Sequence, residues 1–157
     1  MNRATEHSRD LGPTLEPFAT WLRFGVEVPI SAANWGELVR EFIRIVTVRC
    51  AVDPELLIGH IKGFSRFPGG GYLKVSSVAA GIASDVEVRG DAADSCREID
   101  IALNVLVYGA GSAHLGELVR AALDDIENGW RERFIQGTGP APHRLSAQFI
   151  EREEWEG

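Results

Sequence analysis

The chain reads as an α+β two-layer sandwich, with a mainly antiparallel sheet of four or five strands and two helices on one face. Three observations lead there. Two stretches, 34–52 and 112–134, repeat apolar residues at helical spacing. Between them, segments that alternate apolar and polar side chains are separated by glycine and proline. A chain of 157 residues with 45% apolar content is long enough for one packed core, and the length favours a single domain.

Residues 1–33 read as an N-terminal arm with a possible edge strand. Gly12-Pro13 and Glu16-Pro17 disfavour a continuous helix, and an arm with a mobile tip is expected. From Trp21 to Val28, Leu22, Phe24, Val26 and Val28 alternate with Trp21, Arg23 and Glu27, which predicts an edge strand ending at Pro29 or an arm that packs on a neighbouring subunit.

Residues 34–136 form the expected α+β core domain. Asn34-Trp35-Gly36-Glu37 has capping-box spacing, so a helix should begin with Asn34 as its cap. Leu38, Val39, Phe42, Ile43 and Val46 make its apolar stripe, and Asp53-Pro54 ends it. Strands are predicted at 57–67, 71–79, 86–89 and 98–108, the first two forming a hairpin around Phe67-Pro68-Gly69-Gly70-Gly71. In the last strand Ile99, Ile101, Leu103, Val105 and Val107 share one face, which must be buried. A second helix follows Gly109-Ala110-Gly111, with Ser112 as cap and Leu115, Leu118, Val119, Ala122, Ile126 and Trp130 as its stripe. Residues 137–157 comprise a Gly/Pro linker, a possible last strand at 144–151 and an acidic tail whose Phe149, Ile150 and Trp155 could dock elsewhere. The order strand, Tyr108-Gly109, helix, late strand over residues 98–151 resembles the alkaline-shock-protein family, from which the long hairpin departs.

The formal net charge of −7 argues against a general polyanion binder, so nucleic acid is an unexpected partner. Residues 1–15 lack the apolar core of an export signal, and no apolar run is long enough for a membrane helix; a cytoplasmic protein without membrane contact is expected. Cys50 and Cys96 sit in no CxxC pattern, and the four histidines show no zinc-ligand spacing, so no metal or cofactor is expected. Gly109-Ala110-Gly111 follows a strand, but the third glycine of a dinucleotide fingerprint would fall at His114; Phe67–Gly71 lacks a P-loop ending. The first reads as a plain turn, the second as a flexible hairpin tip able to meet partners.

One stretch stands out. Residues 56–84 contain no Asp or Glu, yet carry His60, Lys62, Arg66 and Lys74, and Lys62 and Lys74 are the only lysines in the chain. Strand alternation turns the residues left over from the helix-facing set to the opposite side. That side should present His60, Lys62 and Phe64 with Tyr72, Lys74 and Ser76 from the hairpin, and Asp100, Asn104 and Tyr108 from the strand at 98–108. Glu87 and Arg89 should join them, while Gly59, Ile61 and Gly63 face the helices.

Such a face can be plain solvated surface, an interaction surface, or a small-molecule site in which Lys62 and Lys74 hold an anion and His60 or Asp100 works as acid or base. The expected binding residues are His60, Lys62, Arg66, Tyr72, Lys74, Asp100, Asn104 and Tyr108, with no catalytic set signalled. The leading expectation is a non-enzymatic accessory or adaptor protein. It would self-associate as a homodimer and bind a protein partner through the open sheet face and the basic hairpin. The alternative is an enzyme or sensor for a small anionic metabolite at the same face.

Overall fold

The computed structural model describes residues 15–136 and 144–155. Strand β1 (Leu15–Ile30) leads into helix α1 (Ala32–Val52), followed by β2 (Leu57–Arg66), β3 (Tyr72–Ser77), β4 (Asp85–Arg89) and β5 (Cys96–Tyr108). Helix α2 (Ser112–Gln136) and β6 (Leu145–Ile150) complete the order. The strands form one antiparallel sheet, β4-β3-β2-β5-β1-β6, with both helices on one face: α1 lies on β2, β3 and β4, and α2 on β1 and β6. This is the α+β sandwich, with six strands where four or five were expected. No helix among the described residues is long and apolar enough to cross a membrane.

The core follows from the two periodicities. Leu38, Val39, Phe42, Ile43 and Val46 of α1, and Leu115, Val119, Ala122 and Ile126 of α2, are buried against Ile99, Ile101, Leu103, Val105 and Val107 of β5. Glycine lets α1 approach the sheet edge. A Cβ on Gly36 would come within 2.6 Å of Val88 Cγ2 on β4, so Gly36→Ala pushes a helix against the outermost strand. Overpacking of this kind costs about 1–3 kcal/mol. Urea unfolding should register that loss in Gly36→Ala, with much of it regained in Gly36→Ala/Val88→Ala; full additivity of the two changes would show that the contact is not responsible.

Four local expectations are corrected. The cap of α1 is Ser31, whose hydroxyl accepts from Asn34 N–H at 3.2 Å; Asn34 sits inside the first turn. Residues 21–28 belong to an interior strand, because β6 pairs with Trp21–Val26 on the side away from β5; Pro17 falls where only β5 pairs. Gly59 does not face the helices but is the extra residue of a bulge between Ile58 (opposite Val107) and His60 (opposite Leu106). The hairpin loop is closed rather than a loose tip: Phe67 is buried and donates its N–H to Gly71 O at 2.8 Å, and Gly70, at φ +98°, donates to Phe67 O.

That loop is held from a distance. Asp94, in a 3-10 turn at Ala92–Asp94, is only 2% exposed and accepts the N–H of Gly71 at 3.1 Å and of Asp91 at 3.0 Å, as well as that of Gly69. Gly109, at φ +97°, makes the turn into α2, where a Cβ would run into the Glu55 carbonyl. The arm residues 1–14 and the linker 137–142 lie outside the described residues. The acidic end is engaged within the chain: Ile150 is buried, Arg120 stacks on Phe149 at 4.9 Å, and Arg152 lies over Trp21 at 5.8 Å. Docking Phe149 elsewhere would require breaking its contact with Arg120.

Candidate ligand site on the helix-free sheet face

Register carries the geometry of this face. In β2, β3 and β5 the helix-facing residues Ile61, Leu73, Val75, Leu103 and Val105 are buried, so their neighbours in sequence project the other way. Two cross-strand rows result. One runs Asp85, Ser76, Lys62, Asn104; the next runs Glu87, Lys74, Phe64, Ala102 and on to Trp21. Ala102 and Ser76 are short, whereas Lys62, Lys74, Glu87 and Phe64 stand tall around them. The result is a concavity of about 570 Å³ lined by all eight residues of β2–β5 in these rows, together with Gly63, Val75 and Val86.

The charges in it are paired across strands rather than uniformly basic. Lys74 stands opposite Glu87, whose carboxylate accepts the Tyr72 hydroxyl at 2.6 Å. That hydrogen bond holds the Glu87 carboxyl below its ordinary range and pushes the Tyr72 phenol up; Lys74 and Arg89 further favour the Glu87 anion. The acid-free hairpin is therefore balanced by β4, whose Asp85 and Glu87 form the outer wall. Lys62 differs: it lies opposite Ser76 and Asn104 and forms no ion pair among the described residues.

All eight residues singled out from the sequence fall on this face, but only Lys62, Lys74 and Asn104 line the concavity. Arg66 and Tyr72 lie one row towards the hairpin loop, in a ladder of cations and rings. Arg66 lies over Phe64 at 5.9 Å, Phe64 stacks with Tyr72 at 6.4 Å, and Lys74 lies over Tyr72 at 5.2 Å. His60 sits beyond Lys62, opposite Leu106, and Tyr108 ends β5 opposite Leu57 and Leu15.

Asp100 is committed elsewhere. Arg23 donates to both its oxygens, at 2.8 and 3.0 Å, and the same guanidinium donates to the Glu154 carbonyl, so the segment after β6 folds back over this end of the face. Asp100 and Arg66 border a separate depression with Cys96 and Arg97. Asp100 as an acid or base beside the lysines is thus not what the fold builds. Asp85, Ser76, Phe64, Glu87 and Ala102 were not among the binding residues picked from sequence, although the outward alternation of Asp85 with Glu87, and a lone Ala between Asp100 and Asn104, carried the signal.

Among the described residues no three His, Cys, Asp or Glu side chains could together hold a metal ion. Burial pushes the Cys50 thiol up to about 11, and raises that of Cys96, so both are held as thiols. No described protein family, curated protein or solved structure matches the chain.

Proposed function

We propose that the protein is a non-catalytic binding module whose concavity receives a small ligand through an anionic group. The observation that carries this reading is Lys62 beside Asn104 and Ser76 within a hollow of about 570 Å³. A cation with no ion pair among the described residues, an amide N–H₂ and a hydroxyl can all donate to one anion, while Phe64 and Ala102 offer apolar contact to the rest of the ligand. The volume falls within the roughly 300–1,000 Å³ range of small-molecule sites. Of the two groups expected to work as acid or base, Asp100 is bound to Arg23 and His60 lies in the next row, while Glu87 in the wall is engaged by the Tyr72 hydroxyl, so binding is favoured over catalysis. Cytoplasmic location belongs to the same proposal, supported by the two cysteines being free.

Thermal shift with a panel of small carboxylates and phosphate esters tests the reading. A ligand at a hundred times its Kd should add about 2.7 kcal/mol, which raises Tm by several degrees, and Lys62→Ala or Asn104→Ala should remove most of that gain. No stabilisation by any compound, or an equal gain in both variants, overturns it.

A protein partner on the same face is the second reading, favoured by the ladder Arg66, Phe64, Tyr72, Lys74, whose cations are exposed and whose rings are half-buried. Arginine and aromatic residues concentrate at protein interfaces. Charge reversal of Lys62 and Lys74 together should then abolish partner capture at unchanged Tm.

A further inference from the structure

The two edges of the sheet are finished differently. At the β6 edge, the Ala147 N–H is taken by Glu127 Oε1 of α2 at 2.7 Å, so the chain's own side chain plugs that edge. At the β4 edge no side chain among the described residues takes an outward backbone group of Asp85–Arg89, and the strand contains no proline, lysine or bulge. Apolar side chains gather there. Val86 is 38% exposed although it faces the helix side, and Ile82, just before the strand, is 60% exposed.

We propose that β4 pairs antiparallel with β4 of a second copy of this chain, about a twofold axis at Glu87, joining two sheets into one. The sequence Asp85-Val86-Glu87-Val88-Arg89 is self-complementary in that register. Asp85 meets the partner's Arg89 at both ends, and Val86 meets the partner's Val88 on the helix side, covering its exposed surface. The antiparallel sense also brings Ile82 before the strand alongside the exposed Ala92 and Ala93 after it in the other copy. The one unfavourable pair is Glu87 with itself on the helix-free face, moderated because each carboxylate accepts from Tyr72 and lies opposite Lys74. Because Asp85, Val86 and Glu87 form the outer wall of the concavity, pairing would place the two concavities side by side with this wall shared.

Sedimentation velocity over a concentration series tests the register. The wild-type chain should be a dimer. Asp85→Arg and Val86→Lys should each raise the dissociation constant at least tenfold at unchanged circular dichroism, whereas Asp85→Arg/Arg89→Asp, which restores opposite charges, should recover most of the affinity. Glu87→Gln should tighten the dimer several-fold, and Lys62→Ala should leave it unchanged, separating this result from that of ligand binding. A monomer at every concentration overturns the proposal and leaves the edge to a strand of another protein. A dimer indifferent to both Asp85→Arg and Val86→Lys overturns it by placing the interface elsewhere.

Discussion

Asp94→Ala should lower Tm by roughly 10 °C and open the hairpin loop to protease, because one carboxylate ties that loop to the turn at 91–94 through three backbone donors. Its oxygens accept from Gly71 and Asp91 at 3.1 and 3.0 Å and also from Gly69, in a position only 2% exposed. Without them, backbone donors on both sides of the gap lose their acceptor where water has little access. Asp94→Asn should be nearly as damaging despite its equal size. Its amide has one acceptor oxygen, and the N–H₂ group must point at a backbone N–H. Limited proteolysis at Pro68–Gly71 distinguishes loosening of the loop from global loss of stability; an Asn variant as stable and as resistant as wild type would show that the clamp contributes nothing.

The same carboxylate gives a pH dependence of fixed sign. Hydrogen bonding from Asp91, then Gly71 and Gly69, holds Asp94 below its ordinary value of 3.8, outweighing the opposing effect of burial. A depressed folded-state pKa means that the stabilisation is fully present above the unfolded value and is lost as pH falls through the folded one. The Tm difference between wild type and Asp94→Asn should therefore be constant near neutrality and shrink only below about pH 4. A difference that instead closes between pH 8 and 6 would point to a histidine and not to Asp94.

What could be read from the amino acids follows a physical division between local and distant interactions. The alternation of Ile99 to Val107 determines which side of β5 is buried, and placing Asp100, Asn104 and Tyr108 opposite requires only the period of two. Helix α1 ends at Asp53 before Pro54 as a local steric rule demands. The misses involve choices between neighbouring candidates or partners far along the chain. Ser31 and Asn34 are both good caps, and backbone conformation decides between them. The bulge at Gly59 resets the register against β5 and cannot be seen from β2 alone. Asp94 is 23 residues from Gly71, and Asp100 is 77 from Arg23; neither link has a local signature. The basic character of residues 56–84 was real as sequence but incomplete as surface, because Asp85 and Glu87 come from the next strand.

Trp35→Ala should be the most damaging core substitution, costing about 3–5 kcal/mol in urea unfolding. The indole is fully buried in the first turns of α1, and its Nε1–H donates to the Cys96 carbonyl at 3.1 Å, fastening the start of that helix to the start of β5. Two effects are combined in that figure, and a second variant separates them. Trp35→Phe keeps a large apolar ring but takes the indole donor from the part-buried Cys96 carbonyl, so the expected loss is about 1–3 kcal/mol from the missing bond and the smaller ring together. The difference between the variants then measures ring volume and area, which should dominate, since the side chain packs within a cluster that includes Phe42, Val39 and Phe24. Equal losses in Ala and Phe would reverse that ranking and make the single hydrogen bond to β5 the main tie between α1 and the sheet.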